Sequence, residues 1–296
     1  MKKLLTGLGL TGFLVVASPS VSAASPFFFS TGNPDGKIGT LSRPAATGLL
    51  ETETADDFIL NGTTNIAQAT FVGLLPLGAP LSSISEVEIE FYHVFPVDST
   101  NPPDSRVPTR MNSPSDVEIA SATRDSGSGT LSFTSTLINP RFAVANTVVN
   151  GINPSPNQFT GGEGPAMGEE VLISVTFATP VDLTAAHYFF RPEVALTGTS
   201  DDFLWLSAPK PIVAPGTPFT GDLQTWIRNS DLAPDWLKIG TDITGQGPFN
   251  AAFSLSGVSV PEPGTFALLA IGLAGLGFSR RLAEGRGAPE VGVVDP

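Results

Sequence analysis

The 296-residue chain carries a formal net charge of −13, with 31 glycines, 27 prolines and no cysteine. Without a thiol there can be no thiolate nucleophile, thiolate metal site, disulfide or cysteine redox chemistry. The acidic balance argues against a nucleic-acid partner, which needs clustered Lys and Arg to neutralise phosphates, and suits solubility and divalent cations outside a cell.

Lys2 and Lys3 precede an apolar run from Leu4 to Ala17, and Val21-Ser22-Ala23 follows as a small-residue pattern. This layout predicts a secretory signal peptide over residues 1–23, cut after Ala23, with Ala24 the alternative. The Ser18-Pro19-Ser20 break and the short apolar length speak against a permanent anchor. Residues 24–54 read as an irregular lead-in, with a turn at Asn33-Pro34-Asp35-Gly36.

Residues 55–259 read as one large or two small β domains. Ala55 to Leu60 is the first strand signal, ended by Asn61-Gly62, and Ile66 to Leu75 is the next, stopped by Pro76. The clearest strand is Ser85 to Val94: Val87, Ile89, Phe91 and His93 alternate with Glu86, Glu88, Glu90 and Tyr92, the period of a half-buried strand. The proline-rich stretch Pro96 to Ser115 reads as a solvated connection. Strands are predicted again over Asp116–Thr123, Thr130–Leu137, Glu170–Ala178, Tyr188–Leu196, Asp201–Leu206 and Ala251–Val258. With about nine strands and no helix–strand alternation, the expected class is all-β, an antiparallel sandwich or jelly roll. One helix is expected, over Asp222 to Arg228, where Leu223, Trp226 and Ile227 fall at i, i+3 and i+4.

Val260-Pro261-Glu262-Pro263 comes next, then an uncharged run from Phe266 to Phe278, then Arg280-Arg281. The prolines force extended backbone around Glu262 and keep it out of helix and sheet, open to an enzyme's cleft. As a helix the apolar run would reach about 20 Å, short of the roughly 30 Å of bilayer hydrocarbon, with the arginines placed to orient it. A tail, residues 282–296, follows.

A Pro-Glu-Pro, a short apolar segment and a basic cluster, in that order, resemble the PEP-CTERM sorting signal of Gram-negative bacteria over residues 260–281. The resemblance implies an exosortase, an integral-membrane transpeptidase, as partner. It would cut near Pro261-Glu262-Pro263 and move the protein from a transient inner-membrane anchor to the cell surface or matrix. Family members usually stop soon after the arginines, where this chain continues. The Ala55-Asp56-Asp57-Phe58 strand opening is also similar to uncharacterised ectodomains that accompany this signal.

Chemistry-bearing residues are few. His93 and His187 alone could titrate near neutrality, and both fall in apolar contexts that suggest core positions. No nucleophile elbow, His-Glu-x-x-His helix or phosphate loop is present. Asp56-Asp57 and Asp201-Asp202, each at a strand start, are candidate Ca²⁺ ligands, with turn chemistry the plainer explanation. Trp205, Trp226, Trp236, Tyr92 and Tyr188 could stack on sugars but more simply fill a core. Two functions therefore stand as expectations: a non-enzymatic structural or adhesive surface protein among exopolysaccharide, or a carbohydrate-binding module or polysaccharide hydrolase.

Overall fold

A computed structural model describes residues 24–100, 103–152, 159–199, 202–260 and 272. Its strands are β1 (Ser25–Ser30), β2 (Ile38–Leu41), β3 (Thr52–Ile59), β4 (Thr64–Pro76), β5 (Ile84–His93), β6 (Arg124–Asp125), β7 (Leu131–Val144) and β8 (Asn146–Val148). They continue as β9 (Ala166–Leu183), β10 (His187–Leu196), β11 (Leu204–Ala208), β12 (Trp226–Asn229), β13 (Leu237–Lys238), β14 (Asn250–Ala251) and β15 (Phe253–Ser259). They form two sheets, and Ala24–Val260 is one unit.

In the nine-stranded sheet the order is β1-β15-β4-β11-β2-β8, with β9 beside β4 and β7 beyond β9. The six-stranded sheet runs β13-β12-β3-β10-β5-β6. β2 and β8 pair in parallel, while the other pairings between described strands are antiparallel. One core joins the sheets: Phe71, Ile173, Val175 and Phe253 from the larger meet Phe58, Val87, Ile89, Phe91 and Phe190 from the smaller. Phe190 stacks on Phe253 at 4.9 Å across that seam. This is the all-β sandwich that period-two alternation predicts.

The outer edges are blunted. β7 contains Pro140, and its register with β9 shifts on either side of Asn139; β1 contains Pro26. Prolines and bulges remove the regular row of donors that would recruit another strand.

Four local expectations need correcting. The lead-in is not irregular, because β1 pairs residue by residue with β15 and β2 with β11. No helix forms over residues 222–228. Trp226 and Ile227 pair with Ala55 and Thr54 in β12 and bury opposite faces, so three apolar residues matched helical spacing by coincidence while tertiary pairing decided the backbone. Asp116–Thr123 is a loop with a 3₁₀ turn at Ala120–Ala122 that leaves Val117 exposed. The stretch from Pro96 to Ser115 is only in part the solvated connection expected: Val97 and Met111 are exposed, but its C-terminal end is built into the fold. Arg110 within it is fully buried, paired with Asp116 at 2.7 Å and Asp235 at 2.9 Å and seated over the Phe95 ring.

Part of that stretch, with the connection at residues 230–236, covers the outer face of the six-stranded sheet. Tyr92, on the predicted polar side of β5, is therefore buried edge-on against Trp236, whose indole nitrogen donates to the Ser115 carbonyl at 3.3 Å. Both faces of this sheet are enclosed.

Candidate functional site

The predicted sorting residues Pro261, Glu262, Pro263, Arg280 and Arg281 lie outside the described residues, as does Ala23. Ala24 is exposed at the start of the domain, one residue before β1. At the other end, Val260 donates its backbone N–H to the Thr63 carbonyl at 2.8 Å, so the chain is held to the fold up to the residue before Pro261.

Asp56 and Asp57 sit side by side in β3, and the alternation of the strand turns them to different partners. Asp56 is fully buried and accepts from the backbone N–H of Ala251 at 2.9 Å. Thr225 Oγ1 lies 3.2 Å from Asp56 and 3.0 Å from the Phe249 carbonyl. A hydroxyl has one proton, so both contacts are satisfied when Thr225 donates to Phe249 and a protonated Asp56 donates to Thr225. Burial, and then the neighbouring Asp57 charge, push Asp56 well above the usual carboxylate range, consistent with that arrangement. Asp57 accepts from the Leu223 N–H at 3.0 Å and meets His187 Nε2 at 2.6 Å. Burial raises its carboxyl too, against the His187 and Leu223 hydrogen bonds.

Both carboxylates thus tie the 222–225 segment and β14 to the sheet. Asp202 pairs instead with Arg43 at 2.5 Å, and Asp201 lies outside the described residues. Among the described residues no group of three or more His, Asp or Glu is arranged to hold a metal ion. His187 is partly exposed, and its ring meets the edge of Phe219 at 5.8 Å. A His–Asp pair is the supporting half of a nucleophile relay, but here the imidazole packs against a phenyl ring. His93 is half-buried beside Tyr188.

Sequence reading missed a second cluster, on the covered face of the six-stranded sheet. Arg191 Nη2 meets Glu90 at 2.7 Å and Glu53 at 3.1 Å, while Nη1 lies 2.8 Å from Glu193. The last contact is an ion pair without hydrogen-bond alignment, since the same atoms lack hydrogen-bond partners. Arg228 pairs with Glu53 through Nε and Nη2 and lies over the Trp236 ring at 4.4 Å. Tyr92 Oη is 2.7 Å from both Glu53 and Glu90, its single proton serving one at a time. Burial pushes Glu53 up, but the two guanidinia and the hydrogen bonds from Arg228 and Tyr92 outweigh it and hold the carboxyl at about 2. Glu193 is raised well above its ordinary value by burial and by surrounding carboxylates, despite the adjacent Arg191. A cleft of about 280 Å³ opens onto this cluster, lined by Glu51, Glu53, Glu90, Arg191 and Arg228 among others. The sequence signal was Arg191 and Glu193 set among Phe189, Phe190, Pro192 and Val194 in a mostly apolar strand.

A third feature is a groove made of two adjoining clefts, about 440 and 240 Å³, that share Lys210, Asp222 and Pro248. Lys210 Nζ pairs with Asp222 at 2.9 Å and donates to the carbonyls of Asp222 and Leu223. Ile212, Pro218 and Phe219 line the larger cleft; Gln224, Trp226 and Lys238 line the smaller.

Every Trp and Tyr of the chain is buried. Trp205 donates to the Ala252 carbonyl at 3.0 Å and packs against Phe190 and Phe253. These rings belong to the core, and none offers a face for sugar stacking.

The model of the PEP-CTERM protein-sorting motif matches residues 259–281. No curated protein and no solved structure matches the chain.

Proposed function

The chain is a PEP-CTERM protein, and from that premise we propose that its β domain acts outside the cell as a non-enzymatic structural or adhesive element associated with exopolysaccharide. The motif targets the protein to exosortase and so to export toward the cell surface. The observation that carries the reading is the junction. The matched motif begins at Ser259, the last residue of β15, so the sorting signal follows a completed sandwich with no linker. A domain delivered in this way is itself the cargo.

The non-enzymatic part draws support from the chemistry of the buried groups. The His187–Asp57 pair faces Phe219, and Asp56 is committed to Ala251 and Thr225. Arg191 and Arg228 engage the carboxylates of the charged cluster. The test is fractionation of producing cells, with mass spectrometry of the mature protein. The expected form ends near Pro261–Pro263 and sediments with polysaccharide. A predominant form still carrying residues 282–296, or a protein left in the supernatant when the polysaccharide sediments, would overturn the reading.

A further inference from the structure

We propose that the groove beside Lys210 and Asp222 binds a neutral, hydroxyl-rich ligand, a saccharide unit, through Trp226, Gln224 and Asp222. Three buried polar atoms on its lining residues have no hydrogen-bond partner among the described residues: Trp226 Nε1, Gln224 Oε1 and Asp222 Oδ1. The other two indoles are satisfied, Trp205 on Ala252 and Trp236 on Ser115. Buried native polar groups are almost always paired, so three orphans on one short segment, residues 222–226, mark a place where partners come from elsewhere.

The chemistry of the orphans selects the ligand. One is a pure donor, the indole N–H; the other two are acceptors, an amide oxygen and a carboxylate oxygen. An anion would find the indole and the Lys238 ammonium, 5.3 Å over its ring, but would leave the two orphaned acceptors unanswered, and a simple cation would find no use for an N–H. A hydroxyl accepts and donates through the same atom, and several on one ring can answer all three groups. The larger cleft continues the groove with Phe219, Ile212 and Pro218, an apolar wall that suits the C–H faces of a sugar. Met111, 71% exposed and unbranched, lines the smaller cleft and can shift as a ligand enters.

The choice of saccharide rests on the polysaccharide association proposed above, and the experiment separates the two. The full chain in detergent micelles is titrated with glucose, galactose, mannose and cellobiose and followed by NMR of the indole N–H groups. Three tryptophans give three signals, and Trp226→Phe identifies its own by loss. A saturable shift of the Trp226 signal is expected with at least one sugar, while those of Trp205 and Trp236 stay in place. Gln224→Leu should weaken that binding about tenfold. Co-sedimentation of the chain and of Gln224→Leu with the producing cells' polysaccharide is measured in parallel. If no sugar moves the Trp226 signal, or Gln224→Leu leaves binding unchanged, the site is refuted even where the chain sediments with polysaccharide. If the Trp226 signal shifts but the chain does not sediment, the site stands and the exopolysaccharide association falls.

Discussion

Replacing Arg191 by Met tests whether the charged cluster beneath the 230–236 connection holds the fold together. Arg191 is buried in β10 and faces Glu53, Glu90 and Glu193 at 3.1, 2.7 and 2.8 Å. The fold lowers Glu53 from 4.5 to about 2, which at about 1.36 kcal/mol per pH unit corresponds to roughly 3.4 kcal/mol of preference for its charged form. Arg191 and Arg228 share that effect. Without Arg191, three carboxylates crowd a covered site with one guanidinium, and breaking such a pair costs about 3–5 kcal/mol. A whole domain is commonly stable by about 5–15 kcal/mol, so the loss is large. The sign with pH follows from Glu53. A depressed carboxyl contributes stability that is present above its unfolded value of 4.5 and is lost as pH falls toward about 2. The difference between the unaltered chain and Arg191→Met should therefore be greatest at neutral pH and shrink as pH falls from 4.5 toward about 2. Urea unfolding across pH measures it, with the slope watched for changes in the unfolded state. If Arg191→Met matched or exceeded the unaltered chain at neutral pH, or its deficit ignored pH, the cluster would not be held by charge.

Gly73→Ala should destabilise by about 1–3 kcal/mol, because the new Cβ would stand 2.0 Å from the buried Phe203 ring; thermal unfolding reads the loss. Asp56→Asn should be neutral or stabilising at neutral pH. Its raised carboxyl contributes stability below the ordinary carboxylate range that is lost as pH rises, whereas an amide keeps the neutral pattern throughout. Denaturation at several pH values should show the benefit growing with pH. Replacing Pro261-Glu262-Pro263 by three alanines should leave the domain folded and exported while residues 264–296 stay attached, as C-terminal mass spectrometry would show. The mature N-terminus should be Ala24 or Ser25 by N-terminal sequencing.

Strands with one face in the common core announced themselves. β5 and β9 alternate because Val87, Ile89 and Phe91, or Val171, Ile173 and Val175, point inward while their neighbours do not. Elements that put apolar residues on both faces gave weaker signals, since the polarity of such a segment does not alternate. Trp226-Ile227 is such a case, and its apolar pair imitated a helix. The charged cluster was hidden by the same logic. Glu90 and Tyr92 had the parity of a solvated face, and nothing local reveals that residues distant in the chain will fold over it. The sorting motif was legible because its features are local and ordered along the chain.

The pairing of β1 with β15 has a kinetic meaning. Ser25 lies opposite Ser259, so the first strand of the sandwich finds its partner only in the last. β15 also supplies Phe253 and Leu255 to the common core and pairs with β4 along its length. Loop closure over so long a separation is slow and comes late. A chain emerging N-terminus first cannot complete this sheet until β15 has followed it, and by then the sorting motif is only residues behind. Final closure of the sandwich and arrival of its address label are thereby timed together.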